Sequence, residues 1–379
     1  MPSRSAVAEL PLAGSPAWNK SLRRRLLAWY RRHRRDLPWR DSADPYRVWV
    51  SEIMLQQTQV VTVIPYFTRF LQAFPTIATL AAAPEHDVLR HWEGLGYYRR
   101  ARQLHRAAQV VVSEHGGEFP RQFDAIRSLP GVGRYTAGAI ASIAFDQSAP
   151  ILEANTVRLF SRLVGFDGDT ASRTGQDLLW KFATQILPAG GSGALNQALM
   201  ELGSLVCTPR APDCDGCPVA RECVANHMGQ QDTIPCPRTR PTIEAVREAS
   251  LVIWRGDKIL LRQPLAGERW AGLWDFPRFA VSAKQGAKLH AELVGKLYDL
   301  AGVRIEPIGQ IATLKHGVTR FRITLDCFSA RFVSATRGRA GDAPLKWLRP
   351  AELEKYPLSV TGRKLSKIVC AGTRRPDID

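Results

Sequence analysis

Residues 129–160, LPGVGRYTAGAIASIAFDQSAPILEANTVRLF, decide how this chain is read. Leu129-Pro130-Gly131-Val132-Gly133 fits a tight hairpin between two helices, because glycine admits φ > 0 and close backbone approach. Backbone amides at such a turn, beside the start of the next helix, form an anion site. Gly131, Val132, Gly133 and Arg134 are therefore candidate phosphate contacts. Ala137, Gly138, Ala139 and Ala141 let the following helix pack closely. An isolated carboxylate, Glu153, then precedes a second helical run. Asn155 fits as the N-cap of a helix over 156–165. A helix N-terminus stabilises a nearby anion, so Glu153 is expected to stay ionised; taken alone it reads equally as a capping or surface glutamate. A phosphate clamp and an acid at a fixed separation along the chain suggest an enzyme acting on nucleic acid.

Composition agrees. The chain has 379 residues, with 52 Lys+Arg against 35 Asp+Glu for a net charge of +17. A balance this basic points to a polyanionic partner, and the length to two domains. No apolar run approaches the roughly 20 residues of a membrane span, so no membrane partner is expected. Residues 1–17 lack the apolar core of a secretory signal and read as a loose tail. Seven cysteines, four of them close together, argue for a reducing compartment and a metal site over a disulfide framework. That compartment is the cytoplasm if the source is bacterial.

Working outward towards the N-terminus, Trp18–Arg35 is helical by period, with Leu22, Leu26, Leu27 and Tyr30 on one face and arginines on the other. Trp39 is either a core aromatic or a surface on which a base stacks. In YRVWVSEIMLQQT (46–58), a helix places Glu52 among Val48, Trp49 and Leu55. Two readings stand for Glu52: a desolvated acid with a raised pKa, suited to general-acid work, or a solvent-facing or Arg-paired glutamate. Two carboxylates with pKa values pushed apart are the signature of glycosidic-bond cleavage. The break at Gly94–Arg100, GLGYYRR, sets aromatics and cations together, which suits base stacking and phosphate pairing.

Towards the C-terminus, Cys207, Cys214, Cys217 and Cys223 follow the spacing C-x6-C-x2-C-x5-C. Zinc sites favour two short cysteine pairs, and this loop has one, so four thiolates suit a cubane iron–sulfur cluster better. Residues 226–247 are polar and proline-rich, a linker. Beyond it the period becomes alternating. ASLVIWRGDKILLRQ is a hairpin turning at Gly256-Asp257, WAGLWDFPRF is extended, KLHAELVGKLYDLAG is helical, and strands follow at IGQIATL, TRFRITLDCFSA and PLKWL. Cys327 reads as a packed core residue.

In SEIMLQQTQV, GLGYYRRA, LPGVGRYTAGAI and the cysteine loop together, the sequence resembles the adenine DNA glycosylases of the MutY family. The resemblance implies a mostly α helix-hairpin-helix glycosylase domain over 18–225, with a [4Fe–4S] cluster loop at 207–223. After the linker it implies an α/β Nudix-like recognition domain over 248–372 and a short tail over 373–379. The implied partner is double-stranded DNA carrying adenine opposite 8-oxoguanine or guanine, bound by a monomer. By the same resemblance Glu52 is the general acid that protonates the departing adenine. Glu153 supports the oxocarbenium-like sugar beside Asn155, and water or Tyr135 captures the anomeric carbon. Tyr135 stands where lyase-active relatives carry a lysine. Gln57 and Tyr97 intercalate near the lesion, and Trp39, Arg40 and Gln197 line the adenine pocket. His316 and Thr319 belong to the lesion-reading loop.

Two departures from the family pattern matter. The family usually has Asp-Gly-Asn where this chain has Glu153-Ala154-Asn155, one methylene longer. It commonly has Phe-Ser-His where this chain has Val318-Thr319-Arg320. The helix of the C-terminal domain carries Glu292 alone instead of a Nudix hydrolase box, so metal-dependent nucleotide hydrolysis is not expected there. The rival readings are an endonuclease III-like pyrimidine glycosylase/lyase and a lesion-binding protein without catalysis.

Overall fold

The computed structural model describes residues 14–237, 242–336 and 343–372. The tail expected at 373–379, residues 1–13 of the tail expected at 1–17, and 238–241 of the linker lie outside the described residues. The chain forms two compact units, exchanging between them at 82/83, 102/103 and 239/240.

Helices build the first unit: α1 (Pro16–His33), α2 (Pro45–Leu55), α3 (Val60–Ala73) and α4 (Ile77–Ala82). After α5 (Glu85–Trp92), which belongs to the second unit, α6 (Arg99–His115) leads back. Then come α7 (Phe123–Ser128), α8 (Arg134–Phe145), α9 (Ala154–Val164), α10 (Arg173–Gln185), α11 (Ser192–Leu205) and the single turn α12 (Val224–His227). The sequence writes the starts of α1 and α2 plainly. Ser15 and Asp44 accept hydrogen bonds from the amides of Trp18 and Tyr46, with Pro16 and Pro45 next in line. Helix α1 thus begins two residues before the expected Trp18. Its apolar face, Leu22, Leu26 and Tyr30, packs with Leu159, Phe160 and Leu163 of α9 and Leu195, Leu199 and Leu202 of α11.

The hairpin between α7 and α8 forms as its glycines require. Gly131 sits at φ +78, and a Cβ there would lie 2.6 Å from Cβ of Gln103. Val132 N–H closes the turn onto Leu129 O at 3.0 Å. Behind it, Gly138 lets α8 meet the segment before Glu153: an added Cβ would stand 2.2 Å from Pro150 O. Gly193 of α11 has the same relation to Ser142 O, at 2.3 Å.

In the second unit, β1 (Glu244–Arg255) and β2 (Lys258–Arg262) form the expected hairpin, followed by β3 (Arg278–Ala280), α13 (Gly286–Ala301), β4 (Val303–Val318), β5 (Phe321–Ala335), β6 (Leu345–Leu348) and α14 (Val360–Cys370). The sheet order is β4-β5-β1-β2-β6, with β3 also on β1. Strands β1 and β5 run parallel from Glu244↔Phe321 to Trp254↔Arg331, and the other pairings are antiparallel. Leu289, Leu293 and Leu297 of α13 cover one face over Leu251, Ile253 and Phe328. Leu365 and Val369 of α14 cover the other, over Val252, Leu261 and Cys327. Cys327 is fully buried there, as its strand pattern implied.

Three expectations change. WAGLWDFPRF opens as a turn over 270–273, with Trp270 and Gly272 at positive φ, and extends only after it, through bridges at Trp274 and Asp275 into β3. The second domain begins earlier than 248, since β1 starts at Glu244. The uninterrupted first domain over 18–225 is broken at 83–102. Within the second unit, Arg363 of α14 donates to both carboxylate oxygens of Glu93 at 2.6 and 2.9 Å. Leu358 N–H also reaches Glu93, at 3.2 Å, and His86 Nε2 lies 2.7 Å from Lys355 O. Among the described residues no helix is long and apolar enough to cross a membrane.

Candidate active site

Packing of α2 on α8 brings Glu52 to Tyr135. Glu52 lies between the buried Val48 and Trp49 and is itself only 5% exposed, so the solvent-facing reading falls. Tyr135 Oη donates to Glu52 Oε2 at 2.6 Å. Burial pushes the Glu52 carboxyl up to about 7. The phenol's hydrogen bond and the Arg40 guanidinium pull it down, and the Glu153 carboxylate nearby adds to the rise. Burial and the same two carboxylates hold the Tyr135 phenol well above its ordinary range, so it remains a donor.

Glu153 itself, rather than Asn155, caps α9, which therefore starts at Ala154. Its carboxylate accepts from Asn155 N at 2.8 Å and from Thr156 N at 2.9 Å. Burial nevertheless raises its pKa, against the pull of those amides and of Arg158. The expectation that the helix N-terminus alone keeps Glu153 ionised omitted this desolvation. Both acids are shifted in the same direction.

Trp39, Arg40, Glu52, Tyr135, Glu153, Asn155 and Gln197 all line one cavity of about 170 Å³. The segment 37–40 reaches it through an ion pair the sequence did not disclose. Glu201 of α11, 1% exposed, accepts from Arg35 at 2.7 Å and from Arg40 at 2.9 Å. These two guanidinium groups hold its carboxyl down to about 2. The signal available was four-residue spacing: Gln197 and Glu201 share a helix face. Trp39 is buried edge-on to Phe67 at 5.5 Å, as a core aromatic, and also borders the cavity.

The remaining candidates lie elsewhere. Gln57, exposed, and Tyr97, 51% exposed, both hold positive φ, at +55 and +49. Non-glycine residues seldom adopt this conformation. In the hairpin, Gly131, Gly133 and Arg134 are exposed while Val132 is buried. Arg134 stacks its guanidinium over Trp180 at 3.9 Å. In the second unit, Tyr97, His316 and Thr319 line a cavity of about 500 Å³ together with Trp270 and Arg102. Thr319 takes φ +51 at the β4–β5 turn, and burial beside Arg278 and Arg269 lowers the His316 pKa. Glu292 is fully engaged: it accepts from the amides of Ser282 and Ala283 and pairs with Lys296 at 2.7 Å.

Cys207, Cys214, Cys217 and Cys223 line a single small cavity and carry free thiols. Among the described residues no group of three or more His, Cys, Asp or Glu side chains is arranged to hold one metal ion. The donor set, four thiols of one loop around a shared space, fits a polynuclear cluster. Arg162 of α9 donates to Cys207 Sγ at 3.3 Å. Arg158 bridges Asn155 Oδ1 at 3.0 Å and Cys207 O at 2.8 Å.

Known proteins agree with this architecture. Residues 50–183 match the HhH-GPD superfamily base excision DNA repair proteins, and residues 249–367 match the NUDIX domain. The adenine DNA glycosylase of Rattus norvegicus is 34% identical over 418 residues, covering 94% of this chain and 81% of its own length. That of Buchnera aphidicola (Acyrthosiphon pisum strain) is 37% identical over 255 residues, 67% of this chain and 73% of its own. Among solved structures, a thermostable thymine-DNA glycosylase aligns with TM-score 0.52 and 30% identity, over 56% of this chain and 98% of its own. A likeness that runs through both units and most of the rat enzyme's length places the chain in the family of adenine DNA glycosylases, enzymes of base-excision repair.

Proposed function

We propose that this adenine glycosylase acts on adenine opposite 8-oxoguanine or guanine in duplex DNA, as a monomer, and leaves the sugar–phosphate strand intact. One observation carries the reading: a buried, proton-retaining Glu52 held by Tyr135 in the same cavity as Glu153. The adenine is flipped out of the stack into that cavity. Glu52 gives its proton to the base, and the bond from the base to the sugar breaks with its electron pair going to adenine. Glu153 stabilises the cation left on the sugar. Water adds to the anomeric carbon and releases a proton.

Tyr135, expected as one route to that capture, is assigned instead to orienting Glu52, because a phenol whose pKa is raised is a poor nucleophile. Tyr135 stands where the resemblance places a lysine in lyase-active relatives, and this supports a glycosylase without a Schiff-base lyase step. Cys207, Cys214, Cys217 and Cys223 would hold a [4Fe–4S] cluster, which supplies a crosslink that fixes the 207–223 loop. Seven cysteines with no disulfide among the described residues suit a reducing compartment. The cavity shared by Tyr97, His316 and Thr319 is assigned to the base opposite the adenine, and Gln57 and the 131–134 hairpin to the DNA strand.

The test is a duplex with adenine opposite 8-oxoguanine, compared with adenine opposite guanine and treated with alkali after reaction. Strand breakage only after alkali is the expected result, faster for the 8-oxoguanine duplex. Breakage without alkali would assign a lyase, and equal rates on both duplexes would remove the lesion preference.

A further inference from the structure

We propose that Thr156 is a positioning residue that adapts this active site to a glutamate at position 153. The proposal rests on Glu153 being the second carboxylate of the site. A glutamate here is one methylene longer than the acid of the family pattern, so a like placement needs something to take up the extra length. Short side chains such as Ser, Thr, Asp and Asn reach the first helix amides easily from the cap position, which is why they dominate there. A glutamate must fold back, and the fold-back must be held.

Thr156 holds it from three directions. Its hydroxyl accepts from Glu153 N–H at 2.8 Å and donates to Glu153 O at 3.1 Å, and its own N–H binds Glu153 Oε1 at 2.9 Å. In the usual capping box the hydroxyl stands at the cap and the acid three residues on. Here the positions are exchanged, with the acid at the cap and the hydroxyl at the third helical residue. Thr156 is fully buried and is not among the residues lining the cavity, so its effect on chemistry passes through Glu153. Removing the hydroxyl strips the partners from the Glu153 peptide N–H and carbonyl, which loosens the backbone that aims the carboxylate at the Asn155 and Thr156 amides. A displacement of about 1 Å in a catalytic group costs on the order of 100-fold in rate.

The experiment uses the full chain and measures single-turnover adenine excision, duplex affinity and melting temperature. Thr156→Val is expected to slow excision by about 10- to 100-fold with duplex affinity unchanged, and Thr156→Ser to restore the rate. In a Glu153→Asp background the same Thr156→Val change is expected to alter the rate far less, because aspartate caps unaided. Should Thr156→Val not fold, Thr156→Ala measured against Thr156→Ser decides in the same way. A Val (or Ala) variant as fast as wild type, or one with the same loss in both backgrounds, would make Thr156 merely structural and overturn the proposal. Glu153→Gln separates the two levels. Full turnover in that variant removes Glu153 from the mechanism, whereas a dead Gln variant beside an unimpaired Val variant removes only Thr156.

Discussion

At the scale of single residues, Glu52 sets the pH behaviour. Its carboxyl keeps its proton up to about 7, against 4.5 for an ordinary glutamate. As the proton donor, it should make single-turnover excision fall about tenfold per pH unit above 7. Glu52→Gln is expected to abolish excision and leave duplex affinity nearly unchanged; retained turnover would exclude Glu52. Stability shifts with the same group. The contribution of the neutral carboxyl is complete below pH 4.5, declines as the unfolded chain ionises first, and is gone above about 7. Glu52→Gln should therefore be more stable than wild type well above pH 7, by about 3 kcal/mol in denaturant titrations, with the advantage vanishing at pH 4. The apolar neighbours Val48, Trp49 and Leu55 at helical spacing left the burial of Glu52 as one of two readings, and the packing of α2 on α8 decided it. Glu201 was not legible, since its partners Arg35 and Arg40 lie more than 160 residues away in the chain. The pKa direction of Glu153 escaped for a similar reason: sequence names the capping amides but not the packing that desolvates the cap.

Among the elements, α9 does the most. Its first turn carries Glu153 and Asn155 to the cavity, and Arg158 and Arg162, one and two turns on, fasten it to the Cys207 segment. Helix α8 meets the segment leading into α9 only because Gly138 lacks a side chain. Gly138→Ala should cost about 1–3 kcal/mol, the usual penalty of overpacking, despite alanine's better helix propensity. A melting temperature equal to wild type would show that Pro150 moves aside freely. Helical period was readable in α1, α2 and the helices flanking the hairpin, whereas α10 went unread. The start of α9 was misplaced by two residues because asparagine is the commoner cap and glutamate a rare one. Helix α14 went unread, since VTGRKLSKIVC shows its apolar stripe only when set against the sheet face formed by Val252 and Leu261.

For the whole molecule, charge is the governing quantity. With +17 on 379 residues, duplex binding should be dominated by release of counterions. If about six phosphates are neutralised, affinity should fall by about 10³-fold between 50 and 200 mM salt; a salt-independent affinity would contradict the basic surface as the DNA footprint. The two-part division was visible in the change of hydrophobic period near 248. The membership of 83–102 in the second unit was not, because its ties to α14 span 270 residues of chain. That span has a meaning during synthesis. At about 5–20 residues per second, Glu93 is synthesised roughly 15–50 s before Arg363 exists. Through that interval the nascent chain carries a stretch whose final partner is still unmade, so the second unit reaches its finished form only after Arg363 has been added.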